Sequence, residues 1–323
     1  MLTADDLDRA RRLVNAHMPP TPQYRWPLVE EATGGETWIK HENHTPTGAF
    51  KIRGGLVYMA ELRATRPEVR GVVSATRGNH GQSLARAGTA QGLEVTVCVP
   101  RTNSPEKNAA MRAFGARLIA HGEDFDAARA QAIQLAETEG LHMTPSYHPW
   151  LVRGVATYAA ELFDAAGALD AVYVPIGMGS GISGLVAVRD LWGLPTEIVG
   201  VVAEGAPAYK LSFEAGAVVP TSTARTFADG MACRDPDPEA LAYIRRGAAR
   251  VLALTDDEIA DAVRLLYAGT HNLAEGAGAA ALAGLLKERG RMAGRRTGVV
   301  LCGGNIDAPV MAEILAGRTP APF

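Results

Sequence analysis

The sequence is poor in the features that mark several functional classes. Its 323 residues hold three cysteines, Cys98, Cys233 and Cys302, odd in number and widely spaced. They supply neither a disulfide framework nor a thiolate metal site. Aromatic residues make up 6% of the chain, and 32 basic against 35 acidic side chains leave a net charge of -3. That balance gives no basic stripe for nucleic acid or an anionic membrane surface. Every apolar stretch is too short to span a bilayer. The amino terminus Met-Leu-Thr-Ala-Asp-Asp-Leu is acidic and reads as a helix start with Thr3 as N-cap, not as a signal peptide. Internal repeats, low-complexity tracts and an obvious linker are also missing. What is present is 47% apolar residues in a chain long enough for one large or two moderate domains. A cytoplasmic enzyme acting on a small molecule is the expected class.

Short β-branched runs alternate with Ala-rich amphipathic segments, a rhythm that argues for α/β architecture with parallel strands. The first series predicts strands over 72–74, 95–99 and 117–120 and helices over 80–91, 105–114 and 125–140. The second predicts a helix over 150–166, a strand over 171–175, a glycine-rich loop and a helix to 192, then strands over 197–202 and 299–301. Helices are also expected over 255–267 and 274–289, with Asn272 placed to cap the latter.

The most informative residue is Lys51, in His-Glu-Asn-His-Thr-Pro-Thr-Gly-Ala-Phe-Lys-Ile-Arg-Gly-Gly (41–55). It stands at a loop-to-helix junction, ahead of an apolar run with Ile52, Leu56, Tyr58, Met59 and Leu62. Partly desolvated there, a lysine can lose its proton and attack an aldehyde. A solvated lysine at a helix start is the plainer reading of this residue alone.

Three further motifs lie at strand ends. Ser-Ala-Thr-Arg-Gly-Asn-His-Gly-Gln (74–82) joins a strand to a helix, where backbone N–H groups and the helix dipole suit a carboxylate. Thr76, Asn79 and His80 add side-chain donors, although Asn79 and His80 could simply cap the helix. Pro-Ile-Gly-Met-Gly-Ser-Gly-Ile-Ser-Gly (175–184) lets backbone approach a phosphate closely. It lacks the Lys-Ser/Thr of a nucleotide P-loop and the acidic ribose partner of a dinucleotide fingerprint; a glycine turn with no ligand is the alternative. Leu-Cys-Gly-Gly-Asn-Ile-Asp (301–307) ends the last strand, with Cys302 either a small buried hydrophobe or a weak hydrogen-bonding partner for a ligand.

In this order and spacing, from about 21 to 312, the four motifs resemble the fold-type II pyridoxal phosphate (PLP) enzymes of the threonine/serine dehydratase and serine racemase branch. The resemblance implies a tryptophan synthase β-like fold of two interleaved, open, twisted and mostly parallel sheets flanked by helices. It implies a larger PLP-binding domain of residues 1–50 plus 147–323, a smaller one of 51–146, and an active site between them. Lys51 would form the Schiff-base link and act as base at Cα. Phe50 would pack on the pyridine and Asn79 hold the ring hydroxyl. Gly177, Met178, Gly179, Ser180 and Gly181 would cradle the phosphate, Glu275 lie near the ring, and Cys302 face the ring nitrogen as a neutral partner. Thr76, Arg77, Gly78, Asn79 and His80 would receive the substrate. A homodimer is expected.

Departures from the family narrow the reading. Racemases of this branch carry a serine where this chain has Arg77, whose guanidinium cannot serve as a base. Elimination of water from a 3-hydroxy-L-amino acid such as threonine or serine, giving a 2-oxo acid and ammonia, is therefore favoured over racemisation. The relatives' divalent-cation site is matched at Glu204 but meets Lys210 at its second ligand, so no metal is expected. Ala49 replaces the usual serine of the lysine box. The chain ends at Phe323, soon after Cys302, so no regulatory domain or end-product inhibition is expected. Arg77 could bind a distal carboxylate, brace the α-carboxylate, or pair with an acid at the cleft; Arg153 is expected to be structural. His41, His44, His148 and Cys233 are weaker candidates for the cleft, and Asp229 reads as a structural turn. Alternative substrates are 3-hydroxyaspartate, phenylserine or a hydroxyectoine-breakdown intermediate. A racemase, a β-replacement synthase and a catalytically inactive PLP-binding protein are the remaining alternatives.

Overall fold

The computed structural model describes residues 2–123 and 125–322. Its first half runs α1 (Ala4–Asn15), β1 (Gln23–Arg25), α2 (Pro27–Thr33), β2 (Glu36–His41), α3 (Lys51–Thr65), β3 (Gly71–Ala75), α4 (Asn79–Ala90), β4 (Glu94–Val99), α5 (Pro105–Ala113), β5 (Arg117–Ala120), α6 (Phe125–Glu139) and β6 (His142–Met143). The second half runs α7 (Pro149–Ala166), β7 (Ala171–Pro175), α8 (Ser180–Leu191), β8 (Glu197–Ala203), α9 (Ala208–Ala215), α10 (Pro238–Gly247), β9 (Ala248–Leu254), α11 (Asp256–Thr270), α12 (Gly276–Lys287), α13 (Arg289–Met292), β10 (Arg296–Leu301) and α14 (Ala308–Leu315). One sheet has the order β1-β2-β10-β7-β8-β9, parallel except for β1 at its edge; the other has the order β5-β4-β3-β6 and is parallel throughout. Helices cover both faces, so central strands such as β3 and β7 are buried along their whole length.

Each sheet carries its own core. Ile39, Val172, Tyr173, Val199, Leu185 and Leu282 belong to the larger one; Val72, Val95, Val97, Leu84, Ile52 and Leu56 belong to the smaller. Helix α1 begins with Thr3 in a reciprocal capping box with Asp6 and sends Leu7 to the first core but Ala10 and Val14 to the second. The expected strands and helices are all present within a few residues of their bounds. Strands β1, β2, β6 and β9 go beyond that expectation, and β10 begins at Arg296, three residues earlier than read. The sequences Glu-Thr-Trp-Ile-Lys-His in β2 and Arg-Thr-Gly in β10 hide their strand character, because their charged residues find partners on neighbouring elements. Asn272 does not cap the helix that follows. Its amide donates to Thr270 O at 2.9 Å, and its side-chain oxygen lies 2.6 Å from His44 Nε2. Helix α12 starts at Gly276 with Glu275 at the cap position and no side-chain cap.

Helix α3 joins the two halves. It is walled in by α4 and α7, and the α7 contact is backbone against backbone: a Cβ on Gly154 would fall 2.1 Å from Arg53 O. Glycine is required there for space. Arg53 is fully buried and forms a closed ion cluster. Its guanidinium donates to Glu42 Oε2 at 2.7 Å and to Glu161 Oε1 at 2.7 Å, while Lys40 Nζ lies 2.6 Å from Glu161 Oε2. Thr21 Oγ1 donates to Glu42 at 2.5 Å, and Arg53 also donates to Thr157 at 2.9 Å. Two cations and two anions on β2, the following loop, α3 and α7 thus satisfy one another without water. Removing one member leaves an uncompensated buried charge and costs about 3–5 kcal/mol. Glu42→Ala should lower the urea midpoint accordingly, whereas Glu68→Ala, at the exposed Arg66–Glu68 pair, should leave it unchanged; equal midpoints for the two variants would refute this ranking.

Candidate active site

The carboxyl ends of β3, β7 and β10 and the amino termini of α3, α4 and α8 open onto one cleft, the usual place for a ligand in an open α/β sheet. One cavity there is bounded by Phe50, Lys51, Asn79, Gly177, Met178, Gly179, Ser180, Gly181, Glu275 and Cys302. All the positions that the resemblance assigned to the cofactor therefore share one cavity.

Backbone stitching sets Lys51 against Cys302. Ala49 bridges to Gly303, Phe50 N donates to Cys302 O at 3.0 Å, and Gly304 N donates to Gly48 O at 2.9 Å. The lysine loop is in effect pinned to the end of β10, and Lys51 begins α3. Its Nζ makes no hydrogen bond or ion pair among the described residues and stands 5.1 Å from the Phe50 ring centroid. Burial lowers its pKa, against the opposing pull of Cys302 and Glu275. Burial, with Glu275 nearby, raises the Cys302 thiol well above its ordinary value. Both groups are thereby driven toward their neutral forms.

The opposite wall is the turn into α8. Gly179 has φ +94, a left-handed conformation that favours glycine, and no side chain caps the helix start at Ser180. Its first N–H groups are left for an anion. Tyr158 donates to Gly181 O at 2.9 Å and Tyr209 to Met178 O at 3.0 Å, bracing the turn from behind. A free amine, an uncapped anion-accepting turn and a neutral thiol in one cavity fit a phosphorylated pyridine aldehyde.

Glu275 is 2% exposed and is shared with a second cavity lined by Arg77, Ser104, Lys107, Asp229, Asn305 and Asp307, among others. Its Oε1 accepts from Asn79 Nδ2 at 2.6 Å, and Oε2 lies 3.7 Å from Lys107 Nζ. Burial pushes its pKa up to about 7 despite Lys107, and Asp229 adds to the rise. Arg77 is partly buried and has no ion pair or hydrogen bond among the described residues, so it does not pair with a cleft acid.

The rest of the expected substrate loop lies deeper. Thr76 N donates to Cys98 O at 3.1 Å, and Thr76 Oγ1 accepts from Gly78 N at 3.1 Å, which leaves the hydroxyl proton available. His80 is held neutral, with its pKa lowered to about 3 by burial and by Lys51.

The loop histidines are structural. His41 Nε2 accepts from Trp26 at 3.1 Å, His44 meets Asn272, and His148 caps α7 through Trp150 N at 3.1 Å. Arg153 lies 3.7 Å from Asp6, tying α7 to α1. Cys233 packs behind the glycine turn, its Sγ 3.7 Å from Met178 Sδ. Lys210 pairs with Glu214, and no cluster of three metal-ligating side chains occurs among the described residues. Sequence reasoning missed Lys107, whose ammonium is 2.5 Å from Asp229 Oδ2. Its one cue is Ser104-Pro105, which places Lys107 in the first turn of α5.

The model of the family described as "Pyridoxal-phosphate dependent enzyme" matches residues 14–303. An L-threonine ammonia-lyase of Thermotoga maritima is 32% identical over 317 residues, 98% of this chain and 78% of that protein. An L-threo-3-hydroxyaspartate ammonia-lyase of Saccharomyces cerevisiae is 28% identical over 319 residues, covering 98% of this chain and 97% of that one. The solved structure of processed threonine deaminase isoform 2 from Solanum lycopersicum superposes with a TM-score of 0.88 at 28% identity, covering 98% of this chain and 90% of that one. Together with the cavity around Lys51, these likenesses place the chain in the family of pyridoxal-phosphate dependent enzymes, with fold-type II architecture and pyridoxal phosphate as cofactor.

Proposed function

We propose that this enzyme converts a 3-hydroxy-L-amino acid of the threonine or serine type to a 2-oxo acid and ammonia by β-elimination. The observation that carries the reading is the unpaired, partly buried amine of Lys51 facing a neutral thiol and an uncapped helix start. The ammonia-lyase activities named for the relatives support it. Pyridoxal phosphate, when bound, supplies an aldehyde carbon open to amines and a ring that draws electrons from the substrate's α-carbon. Gly177, Met178, Gly179, Ser180 and Gly181 would hold its phosphate, Phe50 would lie on its ring, Asn79 would donate to its hydroxyl, and Cys302 would face its ring nitrogen. Thr76, Arg77, Gly78, Asn79 and His80 would take the substrate.

Lys51 Nζ is the base that accepts the Cα proton, a role open to it because burial favours its uncharged form. Arg77 offers no second base to return a proton from the other side, which favours elimination over racemisation. The β-hydroxyl departs as water. The released enamine takes water back on hydrolysis, so the net products are one 2-oxo acid and one ammonia. In this reading residues 1–50 and 147–323 form the cofactor-bearing domain and 51–146 the smaller one. The enzyme would work as a cytoplasmic homodimer. The exposed apolar residues Tyr24, Leu28, Tyr267 and Leu273 around α2 and α11 support that pairing.

A second reading of the substrate rests on Arg77. A partly buried guanidinium without a partner, lining the adjoining cavity, suits a substrate with a distal carboxylate such as 3-hydroxyaspartate.

Two experiments test these readings. Lys51→Ala should abolish the long-wavelength absorption of the cofactor-loaded protein and slow 2-oxo acid formation by about 10²–10⁴-fold. Persistent absorption without 2-oxo acid from any 3-hydroxyamino acid would identify a cofactor-binding protein without turnover. For Arg77, 3-hydroxyaspartate should exceed threonine in kcat/KM, and Arg77→Ala should reverse the order; an unchanged ranking rejects the distal-carboxylate role.

A further inference from the structure

Lys107 connects the two sides of the cleft in a way that the reaction as described does not use. Ser104 Oγ caps α5 by accepting from Lys107 N at 3.0 Å, which sets the first turn of the helix at the cleft mouth. The lysine stem lies over Gly78, where a Cβ would fall 2.5 Å from Lys107 Cδ. Glycine at 78 thus leaves the lysine stem its room. The ammonium then leaves the four-stranded side and enters the six-stranded one, 2.5 Å from Asp229 Oδ2 and 3.7 Å from Glu275 Oε2. The three side chains are only 8%, 15% and 3% exposed, so water does little to compensate them. Burial works against the Lys107 charge, but Asp229 and Glu275 outweigh it and raise its pKa.

Glu275 passes this charge inward. It accepts from Asn79 Nδ2, Asn79 Oδ1 accepts from Asn305 Nδ2 at 2.8 Å, and Asn305 Nδ2 also donates to Thr47 O at 2.8 Å. The amide of Asn79 is thus fixed at both ends, with one N–H committed to Glu275 and the other left to the cavity that holds Lys51. A charged acceptor binds that N–H more strongly than a neutral acid does. The ionisable groups around Glu275 are Lys107 on α5, Asp229 in the turn before α10, Lys51 on α3 and Cys302 after β10. Arg77 lines the same outer cavity, and Asp307 acts on Lys107.

We propose that Lys107 is a positioning residue: reaching across the cleft, it favours the carboxylate form of Glu275, and the carboxylate holds Asn79 in the orientation that serves the cofactor pocket. The inference rests on the pocket assignment made above. Asp229 acts in the opposite sense, because its charge both competes for Lys107 and repels charge on Glu275.

The test uses the cofactor-loaded enzyme, with kcat/KM and the long-wavelength absorption followed against pH, and with pyridoxal phosphate affinity measured by equilibrium dialysis. Lys107→Met should keep the absorption band but move the acid-side midpoint of both profiles up by about one pH unit or more, and weaken cofactor binding. Lys107→Arg should restore the midpoint. Asp229→Asn should move it down, a result that general loosening of the cleft would not give. Glu275→Gln, which cannot titrate, should remove that limb. The proposal is overturned if Lys107→Met leaves the midpoint in place, if Asp229→Asn moves it upward, or if the limb survives Glu275→Gln. Loss of the band in Lys51→Ala tests the pocket assignment separately, so either idea can fail without the other.

Discussion

Two basic side chains two positions apart at the head of α3 are treated in opposite ways, and the site depends on the difference. Arg53 cannot lose its proton, so burying it demands counter-charges, and Glu42 and Glu161 supply them at 2.7 Å each. Lys51 can lose its proton and is given no counter-charge at bonding distance. The Arg53 cluster ties β2, α3 and α7 into one block, so the helix cannot tilt to return Lys51 to water. Lys40 shows the alternative: fully buried, it is held 2.6 Å from Glu161 and donates to Thr21 O and Gln23 Oε1, both at 2.7 Å. Burial alone does not make a reactive lysine; burial without partners does.

The parts of the fold that could be read from the sequence are those whose cause is local. Strand β7 is a β-branched run closed by a glycine turn, and α5 opens with Ser-Pro, so both appear at their expected places. Strand β2 could not be read in this way. Its Lys40 and His41 look solvated in one dimension and become core residues only through Glu161 and Trp26, which are distant or unremarkable in the sequence. The same division holds for the site. Lys51, Asn79, the 177–181 turn and Cys302 each stand at a strand-to-helix transition that carries its own signal. Lys107 has only the Ser104-Pro105 helix start, because its partners Asp229 and Glu275 lie more than a hundred positions away. Asn272 failed for a related reason: an asparagine ahead of a helix reads as a cap, but the preceding αL residue His271 (φ 53) breaks the chain direction and sends its amide elsewhere.

The two sides of the cleft contribute different kinds of chemistry. From the six-stranded side come backbone groups in a fixed turn, which suits an anion by position and requires no titratable side chain. The four-stranded side adds side chains in the turn before α4 and on the first turns of α4 and α5, namely Arg77, Asn79 and Lys107. A ligand held on one side meets the other only where the two approach. Ser104 donates to Asp307 at 2.5 Å, and Glu106 accepts from Ala308 N at 2.9 Å, so α5 is the element that brings them together.

Neutrality at the centre of the pocket follows from one physical effect acting on two unlike groups. Burial disfavours charge whatever its sign, so it lowers an amine and raises a thiol. Lys51 and Cys302 are therefore both pushed toward neutrality, and each makes the other's neutrality easier: a thiolate would pull a proton onto the amine, and an ammonium would pull one off the thiol. A carboxylate at 302 would break this balance, since its charge would favour an ammonium at Lys51. A thiol kept protonated by burial adds no such charge. Farther out, Lys107 and Asp229 stand 2.5 Å apart and balance each other without touching the Lys51 amine.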